Sequence, residues 1–187
     1  MDDQVFLKQY FERYRQGLFE TDVTEQLIAF RDCALEVKKR GSKLIFAGNG
    51  ASAAISSHCA VDYTKQAQVR AINFNEADLI TCFANDYGYE HWVAKAIEHY
   101  SDPGDVVVLI SSSGRSPNMV RAAEYSRQAG HIVVTFTGQA PDNPLKALGD
   151  INFWVDSKAY NIVESIHQIW LLTICDMLVG DAEYSVS

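Results

Sequence analysis

Short apolar runs alternate with stretches of helical periodicity along most of this chain. Five runs rich in β-branched or aromatic residues predict strands at 43–48, 70–74, 105–111, 131–138 and 151–156. The segments between and after them predict helices at 52–65, 76–84, 88–100, 117–129 and 159–180. Such alternation, with strands that are apolar throughout, is typical of a parallel sheet covered by helices on both faces. We therefore expect an α/β fold, with three α-β-α layers around a five-stranded parallel sheet.

Two further helices are predicted before the first strand. Aromatic and apolar residues recur every four positions in the first twenty residues, at Phe6, Tyr10, Tyr14 and Leu18. Asp22 and Glu25 resemble a capping box that begins a second helix, which runs to Arg40 and stops at Gly41. The chain therefore has an N-terminal helical extension.

The helix predicted at 159–180 carries apolar residues on all sides. A helix without a polar face is usually buried all round, which in 187 residues suggests a subunit interface as well as a core. We expect one domain over 1–187, with the helices of 1–40 packing between subunits of a homo-oligomer and an α/β core at 41–180. No run reaches the roughly 20 uninterrupted apolar residues of a membrane span, so no membrane partner is expected.

Composition and charge narrow the classes of function. The hydrophobic content of 48% suits a globular domain and is too high for disorder. The net charge of −8 disfavours nucleic acid as a partner and leaves any anionic ligand to be held by local donors. Residues 1–16 resemble neither a signal nor a transit peptide, so a cytoplasmic location is expected. Four cysteines without CxxC spacing are expected to be buried free thiols: Cys33, Cys59, Cys82 and Cys175.

A glycine-containing loop, AGNGAS at 47–52, follows the first predicted strand. Ligands of open parallel sheets bind beyond the carboxyl ends of the strands. Two glycines permit close backbone approach, and Ser52 is placed to cap the next helix. Residues 48–53 also fit the dinucleotide pattern G-x-G-x-x-A, but the nearest acid, Glu76, lies in the next predicted helix. No nucleotide cofactor is therefore expected, and a tight turn without a ligand stays an alternative.

A serine-rich loop follows the third predicted strand, within ISSSGRSP at 110–117. Ser116 and Pro117 match the first positions of a helix. Ser111, Ser112 and Ser113 exceed what capping needs, and hydroxyls beside a helix N-terminus suit a phosphate. No P-loop lysine is present, so a compact phosphomonoester is favoured over a nucleoside triphosphate. A serine-rich turn without a ligand is the alternative.

The sequence resembles the SIS (sugar isomerase) domain family over nearly its whole length. The resemblance is carried by the ordered motifs GNGAS, FANDYG, ISSSGRS and TFTG and by the long terminal helix. It implies a flavodoxin-like or Rossmann-like fold, a homotetramer, and isomerisation of a small phosphorylated sugar, a seven-carbon one. The expected substrate-binding residues are Asn49, Gly50, Ala51, Ser52, Asn85, Asp86, Ser111, Ser112, Ser113 and Ser116.

The chain departs from this family at Ala51, where the family has a second glycine, at Ser112, where it has Thr, and where the chemistry is expected. The family has Glu four residues after the helix histidine, His58 here, and this chain has Asp62. In the terminal helix the family has a zinc-binding Gln and, eight residues on, a zinc-binding catalytic His, where this chain has Glu164 and Leu172. We hypothesise that His58, Asp62 and Glu164 converge as catalytic groups and that the same three bind zinc. His167, three residues after Glu164, is the hypothesised catalytic replacement for the missing histidine.

Other interpretations stay open. The His58–Asp62 pair is also explained as an ordinary helix pair, and His167 as a polar residue of an interface. The missing histidine favours a non-catalytic SIS-domain protein that binds a phosphosugar or regulates a partner, of the replication-initiator-associating type. The retained His58, Asp62 and Glu164 favour an enzyme. A dinucleotide oxidoreductase is the weakest alternative.

Overall fold

Five parallel strands form the centre of the protein in a computed structural model that describes residues 2–184. The strands are β1 (Leu44–Gly48), β2 (Ala71–Asn73), β3 (Val106–Ser111), β4 (Ile132–Gly138) and β5 (Ile151–Val155). Their order across the sheet is β2-β1-β3-β4-β5, and every neighbouring pair is parallel. The predicted five-stranded parallel sheet is confirmed.

Helices cover both faces of this sheet. They are α1 (Asp3–Arg15), α2 (Thr24–Arg40), α3 (Ala51–Lys65), α4 (Ala77–Tyr87), α5 (Trp92–Tyr100), α6 (Pro117–Gln128) and α7 (Tyr160–Val179). The helix predicted over 1–20 is divided, because a π-helical turn (Gln16–Glu20) follows α1. A 3₁₀ turn (Lys146–Leu148) precedes β5.

Two predicted helix starts are wrong. Helix α2 begins at Thr24, so Asp22 lies before the cap; its carboxylate accepts a hydrogen bond from the Thr24 amide at 3.0 Å. Helix α3 begins at Ala51, and the cap is Gly50 with φ of 56°, a conformation that glycine adopts without strain. Ser52 therefore lies inside the first turn of α3, and its side chain does not cap it.

The two sheet faces have separate apolar cores. Helices α2, α3 and α7 cover one face around Phe30, Phe136 and Phe153, and the last two rings stack at a centroid distance of 4.3 Å. Helices α4, α5 and α6 cover the other face around residues such as Ile97 and Met119. This gives three layers, as predicted, and brings α3 and α7 together beside the carboxyl ends of the strands.

Helix α7 belongs to the core but is not buried on all sides. It is long and apolar enough by composition to cross a membrane, yet Ile162, Ile166 and Trp170 pack into the fold. Ile169 on its other side is 42% exposed. Within residues 2–184 no element covers this side of α7, so the expected burial all round depends on a partner subunit.

The cysteines differ in burial. Cys59 and Cys175 are buried, and burial raises the pKa of both thiols. Cys33 is half-buried, and Cys82 is exposed on α4. The prediction of buried free thiols is therefore wrong for Cys82, because α4 turns that position to the surface.

Candidate active site

A small cavity lies where β1 and β3 end. Its volume is about 160 Å³, and we call it the serine cleft. It is lined by Asn49, Ser52, Ile110, Ser111, Ser112, Ser113, Ser116, Tyr160 and Glu164. Because β1 and β3 are parallel neighbours, their following loops meet at one edge of the sheet, so most of the predicted substrate-binding residues come together here.

The serine loop is held in shape by Gly114. This residue has φ of 64°, and a Cβ there would collide with the Asn143 side chain. The Gly114 amide donates to the Ser111 carbonyl at 2.9 Å, and its carbonyl accepts from the Leu145 amide at 3.1 Å. A sharp turn therefore follows β3 and places the serine hydroxyls around the cleft.

Ser116 stands at the predicted cap of α6, with Pro117 as the first helical residue. Its hydroxyl does not bond to a helix amide in the described chain but lies 3.3 Å from the Ser111 hydroxyl. The Ser113 hydroxyl accepts from the Arg115 amide at 3.2 Å. The cleft thus combines hydroxyls with a helix N-terminus, the arrangement that binds phosphate through local donors.

A second cavity continues from the first between α3 and α7. Its volume is about 330 Å³, and we call it the α3–α7 cleft. It is lined by Ala51, Ala54, Ile55, His58, Asn161, Glu164, Ser165 and Gln168. Glu164 lines both cavities, and its carboxylate accepts a hydrogen bond from the Ser112 hydroxyl at 3.3 Å. Glu164 is therefore the residue that joins the two clefts.

His58 and Asp62 form a pair on one face of α3. The His58 Nε2 atom lies 3.1 Å from Asp62 Oδ2, and both side chains keep access to solvent. His58 faces the α3–α7 cleft together with Glu164. This distance is that of an ion pair, so Asp62 is placed to interact with the His58 imidazole.

His167 is not brought to this site. It is fully buried, its Nε2 atom lies 3.0 Å from the Thr137 carbonyl, and its ring packs against Phe136. Burial lowers the pKa of His167 to about 4. Three residues along a helix turn the side chain by roughly 60° from Glu164, which here carries it from the cleft into the core.

Asn85 and Asp86 also lie away from both cavities. They are exposed at the end of α4, where the Asn85 amide donates to Asp86 at 2.8 Å. The segment after them reaches the site through Tyr89, whose hydroxyl donates to Asn49 Oδ1 at 3.1 Å. Sequence reasoning missed this residue, and it missed Asn118, Tyr160 and Gln168, because their positions depend on loops and helices that meet only in the fold.

The side chains present do not fit the zinc site that the family resemblance implies. A structural or catalytic zinc site needs three or four nitrogen, sulfur or carboxylate ligands around one point. Within residues 2–184, no three His, Cys, Asp or Glu side chains are arranged to hold a metal ion. His58 and Asp62 contact each other, and Leu172 offers no ligand atom.

The fold and the serine cleft define an open parallel α/β protein with a hydroxyl-lined cleft at the carboxyl edge of its sheet. The sequence-family model of the SIS domain matches residues 9–138 of the chain, and the chain belongs to this family. The resemblance stated from the sequence motifs is thereby confirmed.

Relatives cover nearly the whole chain. A phosphoheptose isomerase of Fusobacterium nucleatum is 29% identical over 174 residues, which span 90% of this chain and 89% of the relative. A phosphoheptose isomerase of Trichlorobacter lovleyi is 32% identical over 165 residues, 85% of this chain and 84% of the relative. The solved structure of a phosphoheptose isomerase from Francisella tularensis superposes with a TM-score of 0.88 at 23% identity, over 97% of this chain and 100% of that one. This last likeness confirms the fold.

Proposed function

We propose that this protein is a phosphosugar isomerase that converts sedoheptulose 7-phosphate to D-glycero-D-manno-heptose 7-phosphate. The observation that carries the proposal is the position of Glu164, a carboxylate that lines both the serine cleft and the α3–α7 cleft. Relatives of about 30% identity that bear the name phosphoheptose isomerase support the choice of substrate. The reaction belongs to heptose biosynthesis.

The serine cleft binds the phosphate group. Ser111, Ser113 and Ser116 supply hydroxyls, and the N-terminus of α6 supplies a favourable dipole. Within residues 2–184 no lysine or arginine lines this cleft. Neutral, fixed donors therefore hold the anion in a protein whose net charge is −8.

Glu164 is the base of the proton transfer. An aldose–ketose isomerase removes a proton from C1 of the ketose, passes through an enediol and returns a proton to C2. Glu164 takes the C1 proton and delivers it to C2. His58, oriented by Asp62, donates a proton to the carbonyl oxygen at C2 and accepts one from the hydroxyl at C1. Bonds and protons balance over the two steps.

No step of this reaction is assigned to zinc. Glu164, His58 and Asp62 were hypothesised as zinc ligands, but the His58–Asp62 contact and Leu172 leave an incomplete set of donors. The three side chains are sufficient for acid–base chemistry through oxygen and nitrogen atoms alone.

A cytoplasmic homotetramer is the assembly we propose. Phe11 on α1 and Phe19 in the π-helical turn are 63% and 80% exposed. A groove of about 610 Å³, lined by apolar and polar residues, lies between residues 18–24 and α7, with Ile169 on its wall. A second copy of the chain covers this surface, and light scattering on the purified protein measures the number of copies.

Isomerisation in D₂O tests the function directly. The purified protein is incubated with sedoheptulose 7-phosphate, and the product and its deuterium content at C2 are followed by NMR. We expect heptose 7-phosphate that carries deuterium at C2 in those molecules in which the proton on Glu164 exchanged with solvent before its return. With Glu164→Gln we expect product to form at least about 10²-fold more slowly. Binding without turnover would instead support a non-catalytic SIS-domain protein.

A further inference from the structure

Three loops meet at the carboxamide of Asn49. Asn49 Nδ2 donates to Asn118 Oδ1 at 2.9 Å, and Asn118 Nδ2 donates back to Asn49 Oδ1 at 2.9 Å. The Tyr89 hydroxyl donates to the same Asn49 oxygen at 3.1 Å. The loop after β1, the start of α6 and the segment after α4 are therefore connected through one side chain.

Among the described residues, these hydrogen bonds leave the Asn49 side chain with one N–H that has no partner. An amide oxygen accepts two hydrogen bonds, and both positions on Asn49 Oδ1 are filled by Asn118 and Tyr89. The amide nitrogen has two hydrogens, one of which goes to Asn118. Because Asn49 also lines the serine cleft, its remaining N–H is available to a ligand there.

Asn118 and Tyr89 differ in how firmly they are held. Asn118 is 1% exposed at the second residue of α6, so its own position is fixed by packing. Tyr89 is 56% exposed and packs against Trp92 with ring centroids 6.4 Å apart. Tyr89 follows Gly88, whose φ of 85° turns the chain back from α4 toward Asn49. Asn118 is thus the rigid partner, and the Tyr89 hydroxyl is the one that a mild substitution removes.

We propose that Tyr89 and Asn118 are positioning residues for the isomerase reaction. They occupy both acceptor positions of the Asn49 side-chain oxygen and fix the orientation of the carboxamide. The remaining N–H of Asn49 then donates to an oxygen of the sugar phosphate in the serine cleft. The proposal rests on the proposed function for its substrate. It also explains how the segment containing Asn85 and Asp86 contributes to the site without lining either cavity.

A double-mutant cycle tests whether Tyr89 acts through Asn49. The variants are Tyr89→Phe, Asn49→Ala and the two combined. The matched control is Tyr87→Phe, an exposed tyrosine whose hydroxyl makes no hydrogen bond within the described chain. Loss of one hydrogen bond predicts that Tyr89→Phe lowers kcat/KM about three- to tenfold, with an unchanged melting temperature. Asn49→Ala lowers it further, and the double variant matches Asn49→Ala within about twofold.

Either of two kinetic results would overturn the proposal. One is a Tyr89→Phe protein with the kcat/KM of the wild type and of Tyr87→Phe. The other is a double variant whose losses multiply, since that would show that Tyr89 acts independently of Asn49.

A ligand-free measurement separates this inference from the proposed function. The side-chain amide signals of Asn49 are assigned in ¹⁵N spectra by their absence from Asn49→Ala. We expect them to shift in Tyr89→Phe and to stay in place in Tyr87→Phe. A wild-type protein without turnover contradicts the proposed function, whereas Asn49 signals that do not move in Tyr89→Phe contradict the positioning role.

Discussion

The serine cleft and the α3–α7 cleft adjoin at Glu164 but are built in different ways. The serine cleft consists of loop backbone and hydroxyls at the ends of two strands, shaped by a turn at Gly114. The α3–α7 cleft consists of single side chains that project from two helices. The serine loop is a contiguous motif, which this chain shares with the family except at Ser112, where the family has Thr.

The second kind of site depends on separate positions, and there the chain differs. Asp62, Glu164 and Leu172 all depart from the residues that the resemblance leads one to expect. The binding half of the site therefore keeps most of its expected residues, although Asn85 and Asp86 lie outside it, whereas the chemical half has an altered set of groups. In the proposed reaction the serine cleft thus holds the phosphate, and the side chains of the α3–α7 cleft move the proton.

The largest expected effect is on the chemical half. Glu164→Gln removes the base but keeps the size of the side chain, so kcat falls about 10²- to 10⁴-fold. Binding of the sugar phosphate, measured by calorimetry, stays within about threefold of the wild type. A Glu164→Gln protein that keeps more than a tenth of the wild-type kcat would remove Glu164 from the role of base.

The next largest effect concerns the buried His167 and the free energy of unfolding. Burial lowers the pKa of His167 from 6.5 to about 4, so the unfolded chain binds a proton that the folded chain does not between these pH values. The free energy of unfolding contributed by this group therefore decreases as pH falls from about 6.5 to 4, by up to about 3 kcal/mol.

His167→Gln isolates this contribution because glutamine retains a donor for the Thr137 carbonyl. Urea unfolding at pH 7 and pH 4.5 measures the loss of stability on acidification, which we expect to be smaller in His167→Gln than in the wild type. Equal losses in the two proteins would show that His167 does not titrate as its burial requires.

The smallest of these effects concerns the binding half. Ser116→Ala removes a hydroxyl that faces the serine cleft, so we expect the sugar phosphate to bind about tenfold more weakly. A helix cap usually contributes about 1 kcal/mol, but the Ser116 hydroxyl makes no capping bond in the described chain. The free energy of unfolding should therefore change by less than about 0.5 kcal/mol. Lost stability with unchanged binding would make Ser116 a cap and not a ligand.

Sequence patterns were sufficient for the architecture and for the serine cleft. Each strand is a contiguous apolar run, and the serine loop and Pro117 lie within eight residues. Sequence patterns were not sufficient for side chains whose contacts in the fold come from distant parts of the chain. Asn49 and Asn118 are 69 positions apart, and only the sheet order brings them together.

Helix faces were the other source of error. His167 was hypothesised as a catalytic group because it lies three residues after Glu164, but a small rotation along α7 separates a cleft residue from a core residue. The way α7 packs against the sheet decides which of its side chains are buried, and the spacing of residues along the helix does not show this.

Turnover in the absence of metal tests the central claim most directly. Protein purified without a metal-affinity tag is analysed for zinc by mass spectrometry and assayed with sedoheptulose 7-phosphate in EDTA, with Glu164→Gln as the control. We predict far less than one zinc per chain, and turnover that EDTA does not reduce and that Glu164→Gln lowers at least about 10²-fold. Stoichiometric zinc, or turnover that depends on added zinc, would contradict the account.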